Sequence, residues 1–168
     1  MEQDAKNKIR KIFRFILVIL WMVVVFCFSA QGGEKSSITS NTATKQIINV
    51  LPSTKHLAEP QKTAVVAKVN PVLRKIAHYT MYTLGGILIF GWLRTYAIAL
   101  RTNAMYTTIL GMLYATSDEI HQLFSGGRSA QLSDVCLDTL GVITGLLLYI
   151  AMIKLKDTIT QKRRKKIE

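Results

Sequence analysis

The chain has 168 residues, 49% hydrophobic and 19% charged, with a formal net charge of +12. That length excludes an assembly of many domains, and so apolar a composition excludes an ordinary small soluble domain, which leaves a membrane protein as the natural class. The positive charge does not by itself point to nucleic acid, because no basic face with interleaved aromatic residues can be read from the sequence.

Four hydrophobic runs, at residues 12–30, 76–93, 96–116 and 135–153, are each long enough to cross a hydrocarbon core of about 30 Å as a helix. The runs lack the alternation of strands, and four strands could not close a barrel, so unpaired edges would be left in lipid. The expected fold is therefore all-α: one integral membrane domain over residues 1–168, with four transmembrane helices and both termini cytoplasmic.

The first run follows Lys6, Lys8, Arg10, Lys11 and Arg14. It is longer than the core of a usual signal peptide, and a cut after Ala30 would place bulky Phe28 where a small residue is expected. Phe26 before Cys27 likewise argues against lipid attachment, so a retained anchor helix is expected. Residues 31–73 are rich in Ser, Thr, Lys and Asn and contain Pro52, Pro60 and Pro71. They read as an extracytoplasmic loop, flexible or carrying one short interfacial helix.

The second and third runs are linked by a segment with Arg94 and Arg101, and the fourth is followed by Lys154, Lys156, Lys162, Arg163, Arg164, Lys165 and Lys166. Basic residues collect on cytoplasmic flanks, which places the N-terminus, this link and the tail inside and the 31–73 and 117–134 segments outside. Such flanks also attract anionic lipid. Cys27 and Cys136 each lie within an apolar run, and neither suggests a disulfide framework.

Under this topology the ionisable groups of the outer face converge. Arg74 and Lys75 lie four and three residues before His78 and share a helix face with it, and Tyr82 extends that face. Asp118, His121 and Gln122 can point together at the end of the third run, with Glu119 turned to a neighbour; Asp134 and Asp138 open the fourth run, in line with Gly141 and Gly145. Charge near lipid is costly, so such groups pair or face water, and their default reading is a functional site. Arg74, Lys75 and Arg128 should therefore find partners among Asp118, Glu119, Asp134 and Asp138. The glycines read as points of close helix approach.

Three stretches, FSAQGGEKS after the first run, RKIAHYTMYTLGG opening the second, and DEIHQLFSGGRSAQLSDVCLDTLGVITG across the last two, together resemble the VanZ-like family of membrane proteins, named for a teicoplanin-resistance protein. The resemblance covers most of residues 25–150, and the segment 38–70 lies outside it. It implies family positions at Ser29, Gln31, Arg74, Lys75, His78, Asp118, Glu119, His121, Gln122, Arg128, Asp134, Asp138 and Gly141. It also implies a cell membrane protein of a Gram-positive bacterium, acting at the outer face.

Each group has a structural reading beside the functional one. Arg74 and Lys75 either snorkel to headgroups around a helix start or, with His78, clamp a phosphate, Arg as a planar fork and Lys as a point charge. Asp118, Glu119 and His121 either join helix ends in a polar network or act chemically, with Glu119 and His121 the candidates for general acid and base. Arg128 either balances Asp134 or contacts substrate. A divalent metal bridging carboxylates to phosphate fits the residue types, although the spacing matches no defined zinc motif. The expected partners are membrane lipids and a lipid-linked cell-wall precursor or glycopeptide antibiotic, not nucleic acid. Three functions follow: a protein that binds or shields an envelope precursor and limits teicoplanin access, a hydrolase or transferase acting on a lipid-linked anionic substrate, or a structural subunit of a membrane complex.

Overall fold

A computed structural model describes residues 2–30, 33–54, 56–124 and 131–165, with the side chains of 33–36 left aside. These residues form helices α1 (Glu2–Ser29), α2 (Gly33–Val50), α3 (Glu59–Leu93), α4 (Leu100–Phe124) and α5 (Leu132–Arg164), and no strand. Helices α1, α3, α4 and α5 are each longer than the hydrophobic run that signalled them, because the helical ladder satisfies the backbone through the polar flanks as well as the apolar middle.

The largest differences lie in the segment expected as a loop. Eighteen of its residues form α2, and α3 begins at Glu59 and passes through Pro71. Proline inside a helix removes a hydrogen bond, and tertiary contacts offset that loss here. Asn70, buried, accepts from Thr44 Oγ1 at 3.1 Å and donates to Ser40 Oγ at 3.2 Å and Asn41 Oδ1 at 2.7 Å, fastening α2 to α3 beside the proline. Pro60 sits in the first turn of α3, where its missing N–H costs nothing, and Gln61 Oε1 accepts from the Ala58 N–H at 3.1 Å.

Helices α1, α3 and α5 are long and apolar enough to cross a membrane. Helix α4 falls short of that measure because Arg101, Thr102 and Asn103 at its start and Asp118, Glu119 and His121 near its end bound a short apolar middle, and Asn103 and Thr107 are turned inward, fully buried. Large apolar side chains point outward along α1 and α5, among them Phe13, Ile16, Leu20, Leu147 and Leu148. A helix apolar on its outer face as well as its inner one suits lipid rather than water.

The core forms around Trp21 of α1, which packs edge-on to Tyr82 of α3 at 5.7 Å and against Tyr114 of α4 at 5.1 Å. Its indole N–H donates to the Met81 carbonyl at 2.8 Å, and the Tyr114 hydroxyl donates to the Met22 carbonyl. Trp21 and Tyr114 thus keep their polar handles satisfied by the spare lone pair of a helical carbonyl. Helices α3 and α5 share the largest interface. Their backbones touch there: a Cβ at Gly145 would stand 2.0 Å from the Thr83 carbonyl oxygen, and one at Gly86 would stand 2.2 Å from that of Val142. The close approach expected of Gly141 and Gly145 is present, with α3 as their partner.

The antiparallel packing sorts the charges to two ends. At one end Arg14 donates to the Gly91 carbonyl, Lys11 lies 4.7 Å from the Tyr96 ring centre, and Tyr149 of α5 meets Gly91, so the N-terminal flank, the α3–α4 link and the start of the basic tail lie together. Asp118 and Glu119 of α4 and Asp134 and Asp138 of α5 lie at the other end.

Candidate functional site: a polar cluster at one end of the bundle

Asp118 and Gln122 are one turn apart on α4 and face the end of α1. Ser29 Oγ donates to Asp118 Oδ2 at 2.8 Å and Gln122 Nε2 donates to the same oxygen at 3.0 Å, with all three residues buried. Asp118 Oδ1 has no hydrogen-bond partner among the described residues. This knot fixes α1 against α4 and uses one carboxylate oxygen to do it.

Glu119, one position on, points toward α5. Its Oε2 accepts the Gln131 backbone N–H at 3.0 Å, just where α5 begins at Leu132. Glu119 lies beyond the apolar run of α4, and burial pushes its carboxyl above the usual range, with the charges of Asp134, Asp118 and Asp138 adding to the shift and the Gln131 N–H opposing it.

The basic face of α3 meets the acids of α5. Lys75 Nζ stands 3.1 Å from Asp134 Oδ1, half-exposed, and His78 Nδ1 stands 3.7 Å from Asp138 Oδ2. The spacing explains the register, since 75 to 78 and 134 to 138 each advance about one turn, so two pairs stack along one interface. Both Asp138 oxygens are buried without a hydrogen-bond partner among the described residues, which leaves acceptor capacity facing the site. Arg74 stands beside them with no acidic partner among the described residues.

Between these groups lies a cavity of about 300 Å³ lined by Asn70, Arg74, Lys75, His78, Glu119, Gln122, Gln131, Asp134 and Asp138. It is half-enclosed and offers fixed cations and acceptors to one small polar group. Among the described residues no three His, Cys, Asp or Glu side chains stand close enough to hold a metal ion.

Residues 13–154 match the family described as VanZ/LLP1. The chain belongs to the VanZ/LLP1 family. No curated protein and no solved structure matches it.

Within this VanZ/LLP1 chain, Arg74, Lys75, His78, Glu119, Gln122, Asp134 and Asp138 gather around the polar cavity. Asp118 stands behind it, bonded to Gln122. His121 does not line the cavity: its ring lies 4.4 Å from that of Phe26 on α1, the helix that Asp118 and Gln122 meet at Ser29. Arg128, Gln31, Gly126 and Gly127 lie outside the described residues. Sequence reasoning missed Asn70 and Gln131, which line the cavity, and Asn70 also ties in α2. Asn70 carried one signal, a polar residue just before Pro71, and that pattern reads more readily as a turn.

Proposed function

We propose that the protein is a four-span protein of the cytoplasmic membrane, with both termini inside, whose polar cluster at the outer face binds an anionic cell-envelope precursor and so limits access of a glycopeptide such as teicoplanin. The observation that carries this reading is the polar cavity at the end of the bundle opposite the basic flanks, where Arg74, Lys75 and His78 face Glu119, Asp134 and Asp138. Cytoplasmic enrichment of Lys and Arg puts that end outside. In this topology α4 crosses with its polar residues turned to the bundle interior, as buried Asn103 and Thr107 are.

Binding is favoured over chemistry by the way the groups are engaged. Asp118 is held by Ser29 and Gln122, Glu119 by the start of α5, and Asp134 by Lys75, so these acids serve as orienting contacts. A hydrolase or transferase would have Glu119 as its acid or base, since Glu119 lines the cavity whereas His121 does not.

The test uses a susceptible Gram-positive host expressing the chain. Labelled teicoplanin should bind less to cells that carry it than to cells with the empty vector, and purified protein should leave a lipid-linked peptidoglycan precursor chemically unchanged. Unaltered antibiotic binding would overturn the proposal. Product formation that disappears in Glu119→Gln would replace it with the enzyme reading.

A further inference from the structure

A second cavity adjoins the first. About 570 Å³ in volume, it lies between α1, α2 and α3, and apart from Arg74, His78 and a few hydroxyl and amide groups its walls are apolar. Its deep end is made by Val25, Met81 and Tyr82, within the apolar runs of α1 and α3; its shallow end reaches Asn70 and Ile47 of α2. Asn70 to Tyr82 is twelve residues of helix, about 18 Å along the axis at 1.5 Å per residue. The two cavities share Asn70, Arg74 and His78 at their common rim. From Arg74 inward to Tyr82 is eight of those residues, about 12 Å of mostly apolar wall, and a cleft that runs from membrane depth to a guanidinium has the polarity of a lipid: chain at one end, charge at the other.

The charges select the head. Lys75 is engaged by Asp134 and His78 faces Asp138, whereas Arg74 lines the same cavity without an ion pair to any acid among the described residues. A guanidinium presents a planar fork of donors that matches two phosphate oxygens. Beyond it the polar cavity offers acceptors, the carboxylates of Glu119 and Asp138 and the amides of Gln122 and Gln131. These would repel a bare second phosphate and welcome hydroxyl or amine donors.

We propose that the two cavities form one binding site for a membrane lipid, with a hydrocarbon chain between α1, α2 and α3, its phosphate on Arg74, and a headgroup bearing hydrogen-bond donors among Glu119, Gln122 and Asp138. This rests on the functional reading above for the side of the membrane and deepens it by giving the ligand class: a lipid phosphodiester with a hydroxyl or amine beyond the phosphate. Helix α2 acquires a role, since Thr39, Ser40, Ala43, Thr44 and Ile47 wall the shallow end of the cleft, where Ser40 and Thr44 are tied to Asn70.

The experiment measures binding to the detergent-purified full chain by native mass spectrometry and by lipid-dependent thermal unfolding. Three probes separate the parts: phosphatidylglycerol, diacylglycerol of the same chains, and glycerol phosphate. Phosphatidylglycerol should bind at least tenfold more tightly than either of the others. Arg74→Ala should remove most of that preference and Arg74→Lys should restore part of it. Ala77→Trp on α3 and Ala43→Trp on α2, each filling the apolar cleft, should weaken phosphatidylglycerol at least tenfold, with retained helicity showing that each variant is folded. Equal binding of diacylglycerol and phosphatidylglycerol, or glycerol phosphate binding as tightly as the lipid, would overturn the proposal. So would indifference of a folded cleft variant. If the lipid binds as described while antibiotic binding to cells is unchanged, the site stands and the glycopeptide reading falls.

Discussion

Replacing Gly145 with alanine tests how the cluster is held together. The new Cβ would stand 2.0 Å from the Thr83 carbonyl oxygen and 2.9 Å from the Ile87 nitrogen, both backbone atoms that no rotamer change can move. Ordinary contact begins at 3.4 Å, so α3 and α5 must part by about 1.4 Å along that direction. Overpacking of this kind costs about 1–3 kcal/mol, and a clash with backbone belongs at the upper end. Alanine in place of glycine within a helix returns about 0.5–1 kcal/mol. The net loss is about 2 kcal/mol, or roughly thirtyfold in the folded-to-unfolded ratio at 1.4 kcal/mol per decade. Unfolding in mixed micelles, followed by the circular dichroism of the full chain, reads it. Leu147→Ala, at a side chain 57% exposed on the outer face of α5, supplies the control. Because propensity alone predicts a gain, a Gly145→Ala protein as stable as the parent, or more so, would refute the close packing of α3 on α5. Gly86→Ala should be costly for the same reason. The double variant should cost less than the sum, since helices already parted by one methyl have room for the other.

At the α3–α5 seam, Lys75→Ala and Asp134→Ala should show a coupling of about 0.2–1 kcal/mol in a double-mutant cycle, as for a half-exposed ion pair; no coupling would mean the pair is not formed in solution. Ser29→Ala leaves Asp118 Oδ2 with one of its two donors, and its cost by micelle unfolding should be about 1–3 kcal/mol, whereas Ser53→Ala in the exposed α2–α3 link should be neutral. Glu119 has its carboxyl raised on folding, so the protonated form is favoured in the folded state and stability falls as pH rises from the unfolded value of 4.5 through the raised one. Glu119→Gln should flatten that part of the stability profile, and an unchanged slope would remove the assignment. For topology, a cysteine at Ser53 should react with an impermeant thiol reagent in intact cells and one at Arg164 should not, in a background without Cys27 and Cys136; the reverse pattern would invert the orientation.

How much of this was legible in the sequence depended on the type of signal. Apolar runs announced α1, α3 and α5, since lipid demands twenty or so apolar residues in a row. Helix α2 and the first half of α3 carried no comparable pattern: their residues are polar, Pro60 and Pro71 read as breakers, and what stabilises them is a set of long-range bonds to Asn70. Helix spacing placed Lys75 with His78 and Asp134 with Asp138, and the structure joins these two rows, because charges near lipid need partners. His121 shares with Asp118 and Gln122 the face of α4 turned to α1, as the spacing predicted, but meets Phe26 there and lies outside the cavity. Periodicity gives the face of a helix but not the identity of the neighbour, and an imidazole can satisfy an aromatic contact as readily as a polar one. The apolar cleft walled by α2 had no sequence signal, because its lining comes from three separate helices.

The central claim, that the polar cluster and not the basic tail carries the activity, is tested most directly by comparing variants at equal membrane abundance. Tail charge is screened and worth about 1 kcal/mol per residue near an anionic leaflet. Teicoplanin susceptibility should return to that of the empty host in Arg74→Ala and in Glu119→Ala, and protection should survive removal of Lys162 to Lys166. Cluster variants that protect as well as the parent, with protection lost only on removal of the tail, would contradict the account.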